Sequence, residues 1–486
     1  ADGRELVAYS PVKLAPMPQP PIYTPPPAPK DIANPEELFL AGQRADQFNS
    51  PTLDADPFWA EALRRDPGDI EANTGMGRLA LRRARYADAE KHFRTAIARL
   101  TASYTTPKNA EPLYYLGVAL KAQGKTAEAF DAFFKATWSQ EWKSPAYFSL
   151  AEIASLRGDF AAALNFADQS LDANALNVRV YRLKAAMLRR LGRAAEAQAI
   201  ADLASRKIDP LTAAAASTEP VTALELAVES ANAGLWREAT EALKPLITGA
   251  SDKSKASPLV YYALADFAEK LGDTSSAAEH RRAAMKQSAD YVFPFQSEFI
   301  PVLRRAIAAN PSDARAPYYL GNLLFDWQPD EAVALWEKSV ALDPNFPIAW
   351  RNLAQAYSHR PDDASRARAI ACLEKSAALP TADATQFAEL DALYELAGAP
   401  VEKRLALLEA HRDVVLKKDE GRAALVGLKT VAGKTDEAIA LLEGRTFSVW
   451  EGGTRFNTGE AWTNAHLARG ISRLANASVA ARRNRG

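Results

Sequence analysis

Three carboxylates stand in or beside irregular, aromatic-rich stretches: Glu298 near Phe293, Asp326 next to Trp327, and Glu451 next to Trp450. Two carboxylates about 5–10 Å apart across a sugar suffice for glycoside hydrolysis, and an aromatic face beside them can stack on a pyranose ring. The competing reading is structural: Glu298 and Asp326 cap helices or pair with Arg304, Arg305 or Arg351. Other catalytic constellations are missing. The histidines, His92, His280, His359, His411 and His466, form no HExxH and no short pair that would put two metal ligands on one helical face, so neither metal nor cofactor is expected. There is no GxSxG elbow, and the single cysteine, Cys372, falls where the pattern described below packs, so it reads as a buried, inert thiol.

Two apparent nucleotide motifs dissolve on inspection. Gly124-Lys125-Thr126 and Gly433-Lys434-Thr435 lack the earlier glycine a phosphate loop needs, since Ala119 and Leu428 stand there. Each triplet reads as a turn between helices, with glycine in the left-handed cap. Gly75-Met76-Gly77-Arg78-Leu79-Ala80 matches GxGxxA by letters, but no strand precedes it, and its glycines read as points of close helix approach.

The elements that position these residues follow from composition. The chain has 486 residues, 59 Lys+Arg against 60 Asp+Glu, and a net charge of −1, which gives little reason to expect a nucleic-acid partner. A single core stops growing at roughly 250–300 residues, so several domains or a repeat array are required. No apolar run is long enough to span a membrane. The first ten residues hold Asp2, Arg4 and Glu5 and lack an apolar segment, so they are not a secretory signal and the start reads as a cut. A bacterial cytoplasmic or periplasmic setting is expected.

Nine of the 30 prolines lie between Pro11 and Pro29, where fixed φ angles and missing N–H donors exclude helix and central strand. Residues 1–30 therefore read as an extended tether, either a semi-rigid linker or a ligand for a proline-recognising groove. From Asp31 onward, alanine-rich amphipathic stretches of helix length alternate with short Gly, Asp-Pro or Asn-Pro breaks.

These stretches repeat. Gly117, Leu120, Gly124, Ala129, Phe133 and Ala136 recur in type 34 residues on at Ala151, Ala154, Gly158, Ala163, Ala167 and Ser170, and again at Ala185, Leu188, Gly192, Ala197, Ala201 and Ala204. An earlier copy has Gly77, Ala80, Ala89, Phe93 and Ala96. Later copies turn at Gly234, Gly272, Gly398 and Gly433, and one runs from Gly321 through Trp336 to Asp343-Pro344. A helix pair of this size cannot bury its apolar stripe alone, so copies must stack.

At these residues the chain resembles the tetratricopeptide repeat, over roughly Asn34 to Ala475. The resemblance implies an all-α, right-handed superhelical solenoid of about a dozen helix pairs behind the proline-rich tether. Residues 31–210 read as a regular array and 211–486 as a less regular one, with a bend expected near 207–220. Tyr291–Pro301 reads as an interruption of a first helix, packing five apolar residues irregularly, and Phe447–Phe456 as a second irregular stretch. More widely, DGRELVAYSP, DPFWAEALRRDPGD, AFFKATWSQEW and DWQPDEAVALWEKS look like the C-terminal region of large bacterial proteins in which a β-rich, carbohydrate-associated part precedes such repeats.

In the repeat family the first helix of each pair faces the concave groove. Carried over, that pattern gives Arg78, Tyr114, Lys121, Glu152, Arg182, Arg189, Arg315, Tyr318, Asn322, Arg351 and Gln355 as partner-contacting candidates. Between Arg179 and Lys207 there are eight basic and two acidic residues, enough to hold a carboxylate or acidic segment by charge-assisted bonds. The expected function is a non-catalytic scaffold binding a peptide, a partner subunit or an upstream β-rich domain of its own polypeptide. The alternative is a carbohydrate-active enzyme, or the helical half of one, using Glu298, Asp326 or Glu451.

Overall fold

The computed structural model describes residues 8–12, 19, 24–48, 52–210, 219–248, 257–444, 446–447 and 458–483. Among these residues the regular structure is helical, with 25 α-helices and no strand. Contacts divide the chain into two units, Ala1–Ala146 and Tyr147–Gly486.

The first unit holds α1 (Pro35–Gln47), α2 (Asp56–Arg65), α3 (Ile70–Arg82), α4 (Tyr86–Leu100), α5 (Glu111–Ala122), α6 (Thr126–Ala136) and the start of α7 (Gln140–Leu156). The second continues with α8 (Phe160–Ala173), α9 (Val178–Arg190), α10 (Ala194–Leu203), α11 (Pro220–Asn232), α12 (Trp236–Thr248), α13 (Pro258–Lys270), α14 (Thr274–Lys286) and α15 (Phe299–Ala309). Then follow α16 (Arg315–Leu324), α17 (Pro329–Leu342), α18 (Pro347–Ser358), α19 (Asp363–Ala377), α20 (Ala384–Leu396), α21 (Val401–Ala410), α22 (Arg412–Val415), α23 (Asp419–Val431), α24 (Thr435–Ala440) and α25 (Thr458–Arg483).

Within each unit helices pack chiefly against their sequence neighbours, as stacked helix pairs do. The turns inside the pairs are glycine-dependent. Gly124, Gly158, Gly192, Gly234, Gly272, Gly398 and Gly433 have φ between 72° and 80°, a region costly for residues with a Cβ. In each turn the following N–H reaches back to close the preceding helix, as Lys125 does to the Leu120 carbonyl at 2.9 Å. Both GKT triplets are such turns. In the α3–α4 pair the same position is Ala84, at φ 54°, and Arg85 N–H still reaches the Ala80 carbonyl at 2.8 Å.

A second set of glycines lets an aromatic ring meet helix backbone. Trp59 lies between Gly42 and Gly75, where a Cβ would stand 2.6 Å and 2.9 Å from indole atoms, and its Nε1 donates to the Phe39 carbonyl at 3.2 Å. Gly77 meets Phe93, Gly117 meets Phe133 and Gly321 meets Trp336 in the same way. Close packing of this kind fixes the separation of helices within a pair.

Charges repeat with the fold. Arg99 holds Asp66 at 2.6 Å, Arg78 holds Glu111 at 3.4 Å, Lys125 holds Glu90 at 2.7 Å and Lys418 holds Asp383 at 2.5 Å, over sequence separations of 33, 33, 35 and 35 residues. Ion pairs thus join residues about one repeat apart. Although burial works against its charged form, Glu90 is held at a pKa of about 2 by donors from Lys125, Arg94 and Gln123.

The stretch before α15 interrupts the helical pattern, as its prolines led us to expect, although the irregular part ends at residue 298. Where a first helix would sit, residues 291–298 are not helical, and Phe299–Ala309 packs instead on α13, where Arg305 holds Asp266. Its apolar residues divide between core and solvent. Val292 and Pro294 are buried while Tyr291, Phe293 and Phe295 face solvent, because an extended chain sends alternate side chains to opposite sides. The core of the expected bend at 207–220, residues 211–218, and most of the irregular stretch after Phe447 lie outside the described residues.

Candidate functional site

A concavity in the second unit is built around α9. Its helix is amphipathic: Val180, Leu183, Ala186 and Met187 are buried with Phe148, Ala151 and Ala154 of α7 and Ala163 and Ala167 of α8. That packing leaves Arg179, Arg182, Arg189 and Arg190 on the remaining faces. From the other side the α11–α12 pair closes on α9. Glu229 accepts from Arg179 at 3.0 Å and Arg182 at 2.9 Å, and Glu238 pairs with Arg190 at 2.7 Å.

The α11–α12 turn also reaches past the α9–α10 pair to the α7–α8 turn. Ser155 Oγ donates to the Ala233 carbonyl at 2.7 Å, and Leu156 fills the space where Gly234 lacks a Cβ. The result is a cavity of about 630 Å³, a volume usual for ligand sites. Phe148 and Glu152 of α7, Leu183 and Ala186 of α9, Ala201 of α10 and Leu226 of α11 are among its walls. A single π-type turn, Ala204–Ile208, forms part of the rim; such turns recur at functional sites.

This structure brings Glu152, Arg182 and Arg189 to one cavity. Glu152 is buried, and Arg182 is engaged with the chain's own Glu229. Arg189 lines the cavity, is exposed, and has no hydrogen-bond or ion-pair partner for its side chain among the described residues. The basic excess of 179–207 is therefore answered locally: Glu229 and Glu238 lie against it, and Lys184 pairs with Asp168 at 2.5 Å.

A second group forms on α16, α18 and α20. Arg315 lies 3.6 Å from the centre of the Phe346 ring and 3.4 Å from Asp343. Tyr318 is buried under Tyr319 and Phe346, and burial raises the pKa of its hydroxyl. Asn322 Oδ1 accepts from Trp336 Nε1 at 3.1 Å and Asn352 Nδ2 at 2.8 Å. Glu389 takes Arg351 Nε at 2.7 Å and Gln355 Nε2 at 3.1 Å. In the first unit, Arg78 pairs with Glu111, Tyr114 stacks on Trp142 with ring centres 5.0 Å apart, and Lys121 is half-buried at the end of α5.

The partners Glu229, Glu389 and Glu111 were not singled out from sequence. Their separations from Arg182, Arg351 and Arg78 are 47, 38 and 33 residues, and only the last is close to the repeat period. Two of the three carboxylates suggested for catalysis, Glu298 and Asp326, are exposed. Glu298 is exposed ahead of α15, makes no capping bond with its side chain and accepts from Ser297 at 3.3 Å. Asp326 is exposed in the α16–α17 turn, beside Phe325, Asp330, His359 and Arg360. The arginines suggested as their partners are engaged elsewhere: Arg304 with Glu331, Arg305 with Asp266 and Arg351 with Glu389. Glu451 and Trp450 lie outside the described residues.

Cys372 is buried, and burial raises its thiol pKa, so its thiolate is scarce at neutral pH. Among the described residues no His, Cys, Asp or Glu group is arranged to hold a metal ion, and no helix is long and apolar enough to cross a membrane.

Residues 74–139, which cover α3 to α6, match the family model described as tetratricopeptide repeat. Over that segment the chain is similar to tetratricopeptide repeats. Solved structures similar to it include a tetratricopeptide repeat protein from Parabacteroides merdae, at 17% identity over 59% of this chain and 98% of that one, with a TM-score of 0.30. Pseudomonas aeruginosa PilF aligns at 16% identity over 51% of this chain and 89% of its own, with a TM-score of 0.29. Yeast Tom70 aligns at 16% over 85% and 98%, with a TM-score of 0.26. At these TM-scores none of the three bears on function. The tetratricopeptide reading instead rests on the matched segment and on the recurring glycine turns and ring-on-glycine contacts of the helix pairs.

Proposed function

We propose that this chain is a protein-interaction scaffold that takes a peptide segment, from a partner subunit or from an upstream domain of its own polypeptide, into the cavity between α7, α9, α10, α11 and α12. The observation that supports this reading most directly is Arg189. It stands at the wall of a half-apolar cavity with no partner among the described residues, next to two arginines that share one carboxylate. An acidic side chain of the ligand would meet Arg189 while apolar ones enter between Phe148, Leu183 and Leu226. Glycoside chemistry is the less favoured reading, because Glu298 ahead of α15 and Asp326 in the α16–α17 turn are both open to solvent.

Peptides selected from a displayed library on the intact chain provide the test. Binding should weaken about tenfold or more with Arg189→Glu or with Ala201→Trp, which fills the cavity, and should be unchanged by Arg351→Ala. Selected peptides that bind both cavity variants as tightly as the parent chain would exclude this site.

A further inference from the structure

Between α14 and α15 the chain leaves its main chain unbonded. Residues 292–296 have no regular structure, and among the described residues no N–H or carbonyl of residues 291–295 has a hydrogen-bond partner. Val292 and Pro294 are buried and anchor the stretch, while Tyr291, Phe293 and Phe295 are 90%, 73% and 64% exposed. Tyr291 sits at φ 58°, a left-handed conformation that an aromatic residue keeps only where its surroundings impose it.

In an extended chain the N–H and carbonyl of one residue point to the same edge, and those of the next residue to the opposite one. One edge therefore belongs to Phe293 and Phe295, each with a donor and an acceptor. The other belongs to Val292, Pro294 and Gln296. There proline supplies no donor, and the Gln296 carbonyl already accepts from Phe299 N–H at 3.1 Å. Proline thus falls where its missing N–H leaves the Phe293 and Phe295 edge complete.

A complete, unbonded edge matches another polypeptide main chain in the extended form, as when an added strand extends a sheet. A helical partner has its own groups bonded internally and offers no such row. Charge defines the flanks. Asp290 and Glu298 are exposed at the two ends, each accepting from a neighbouring serine hydroxyl and without an ion-pair partner among the described residues. No Lys or Arg occurs between Lys286 and Arg304.

We propose that residues 292–296 are a docking edge for an extended peptide with apolar residues at alternate positions and basic residues at both ends. Paired antiparallel, the more stable arrangement, its apolar residues stand opposite Phe293 and Phe295, pack beside their rings and exchange main-chain hydrogen bonds with them. The site shares no residue with the cavity beside α9 and does not depend on it.

The probe is a nine-residue peptide of alternating valine and threonine between terminal lysines, added to the intact chain. On binding, amide exchange should slow at residues 293 and 295 and not at residue 292. N-methylation of the probe's valines should weaken binding about tenfold or more, and N-methylation of its threonines should not. Phe295→Pro removes one donor of the edge at an exposed position and should weaken binding similarly. Asp290→Lys with Glu298→Lys should turn the preference to a probe ending in glutamates. A probe that fails to bind up to its solubility limit overturns the proposal, as does binding that survives valine N-methylation or protection that skips residues 293 and 295. Binding of a linear oligosaccharide such as cellohexaose at Phe293 and Phe295, without binding of the peptide, would assign the rings to a sugar and overturn it as well.

Discussion

Ser155 Oγ donates a 2.7 Å hydrogen bond to the carbonyl of Ala233, 78 residues further along the chain. Both residues are buried, so the bond joins two turns with no water available to replace it. Ser155→Ala leaves that carbonyl without its donor and should cost about 1–3 kcal/mol. Chemical denaturation followed by circular dichroism measures the loss. The closing of α11–α12 onto α7 should loosen with it, which hydrogen exchange of residues 220–248 would register.

The glycines beneath aromatic rings give a second expectation. A Cβ at residue 117 would stand 2.6 Å from ring atoms of Phe133, which is itself buried. Gly117→Ala should therefore destabilise the first unit by about 1–3 kcal/mol through overpacking, despite alanine's better helix propensity. Combining it with Phe133→Leu should recover part of the loss in a double-mutant cycle.

Ala84 offers the opposite sign. It holds the left-handed turn position that glycine fills in the pairs that follow, at φ 54°. Ala84→Gly relieves the Cβ clash but adds freedom to the unfolded chain. The net effect should be a gain of about 0.5–1 kcal/mol, seen as a higher melting temperature. A loss of stability would mean that the turn tolerates alanine without strain.

Glu90 should make the first unit acid-sensitive. Its folded-state pKa is depressed from 4.5 to about 2. Its contribution is therefore complete above the ordinary value and is lost as pH falls from about 4.5 through about 2. Glu90→Gln should melt at a lower temperature at neutral pH and show a flatter dependence across that window. Melting curves of both proteins between pH 7 and pH 2 would show the two converging at the acid end.

Much of this architecture was legible in the residues. Gly117 with Phe133 and Gly124 with Lys125 announced a helix, a left-handed turn and a returning helix, because these constraints act within one pair. The 34-residue offset then required stacking, since no pair can bury its stripe alone. The irregular stretch that starts at Tyr291 was legible as well, because its prolines interrupt the helical pattern, and residues 291–298 are not helical.

The candidate groove was legible only in part. Arg182 and Arg189 could be placed on a concave-facing helix from the repeat register alone. That Glu229 would occupy Arg182 and leave Arg189 unpaired could not, because α11 follows an irregular connection and its approach to α9 is not fixed by the period. Sequence by itself determined the helices, their turns and their neighbour-to-neighbour order, all governed by backbone sterics and short-range burial. Tertiary structure alone decided which charges neutralise one another and where a cavity stays open, because those depend on the meeting of surfaces far apart along the chain.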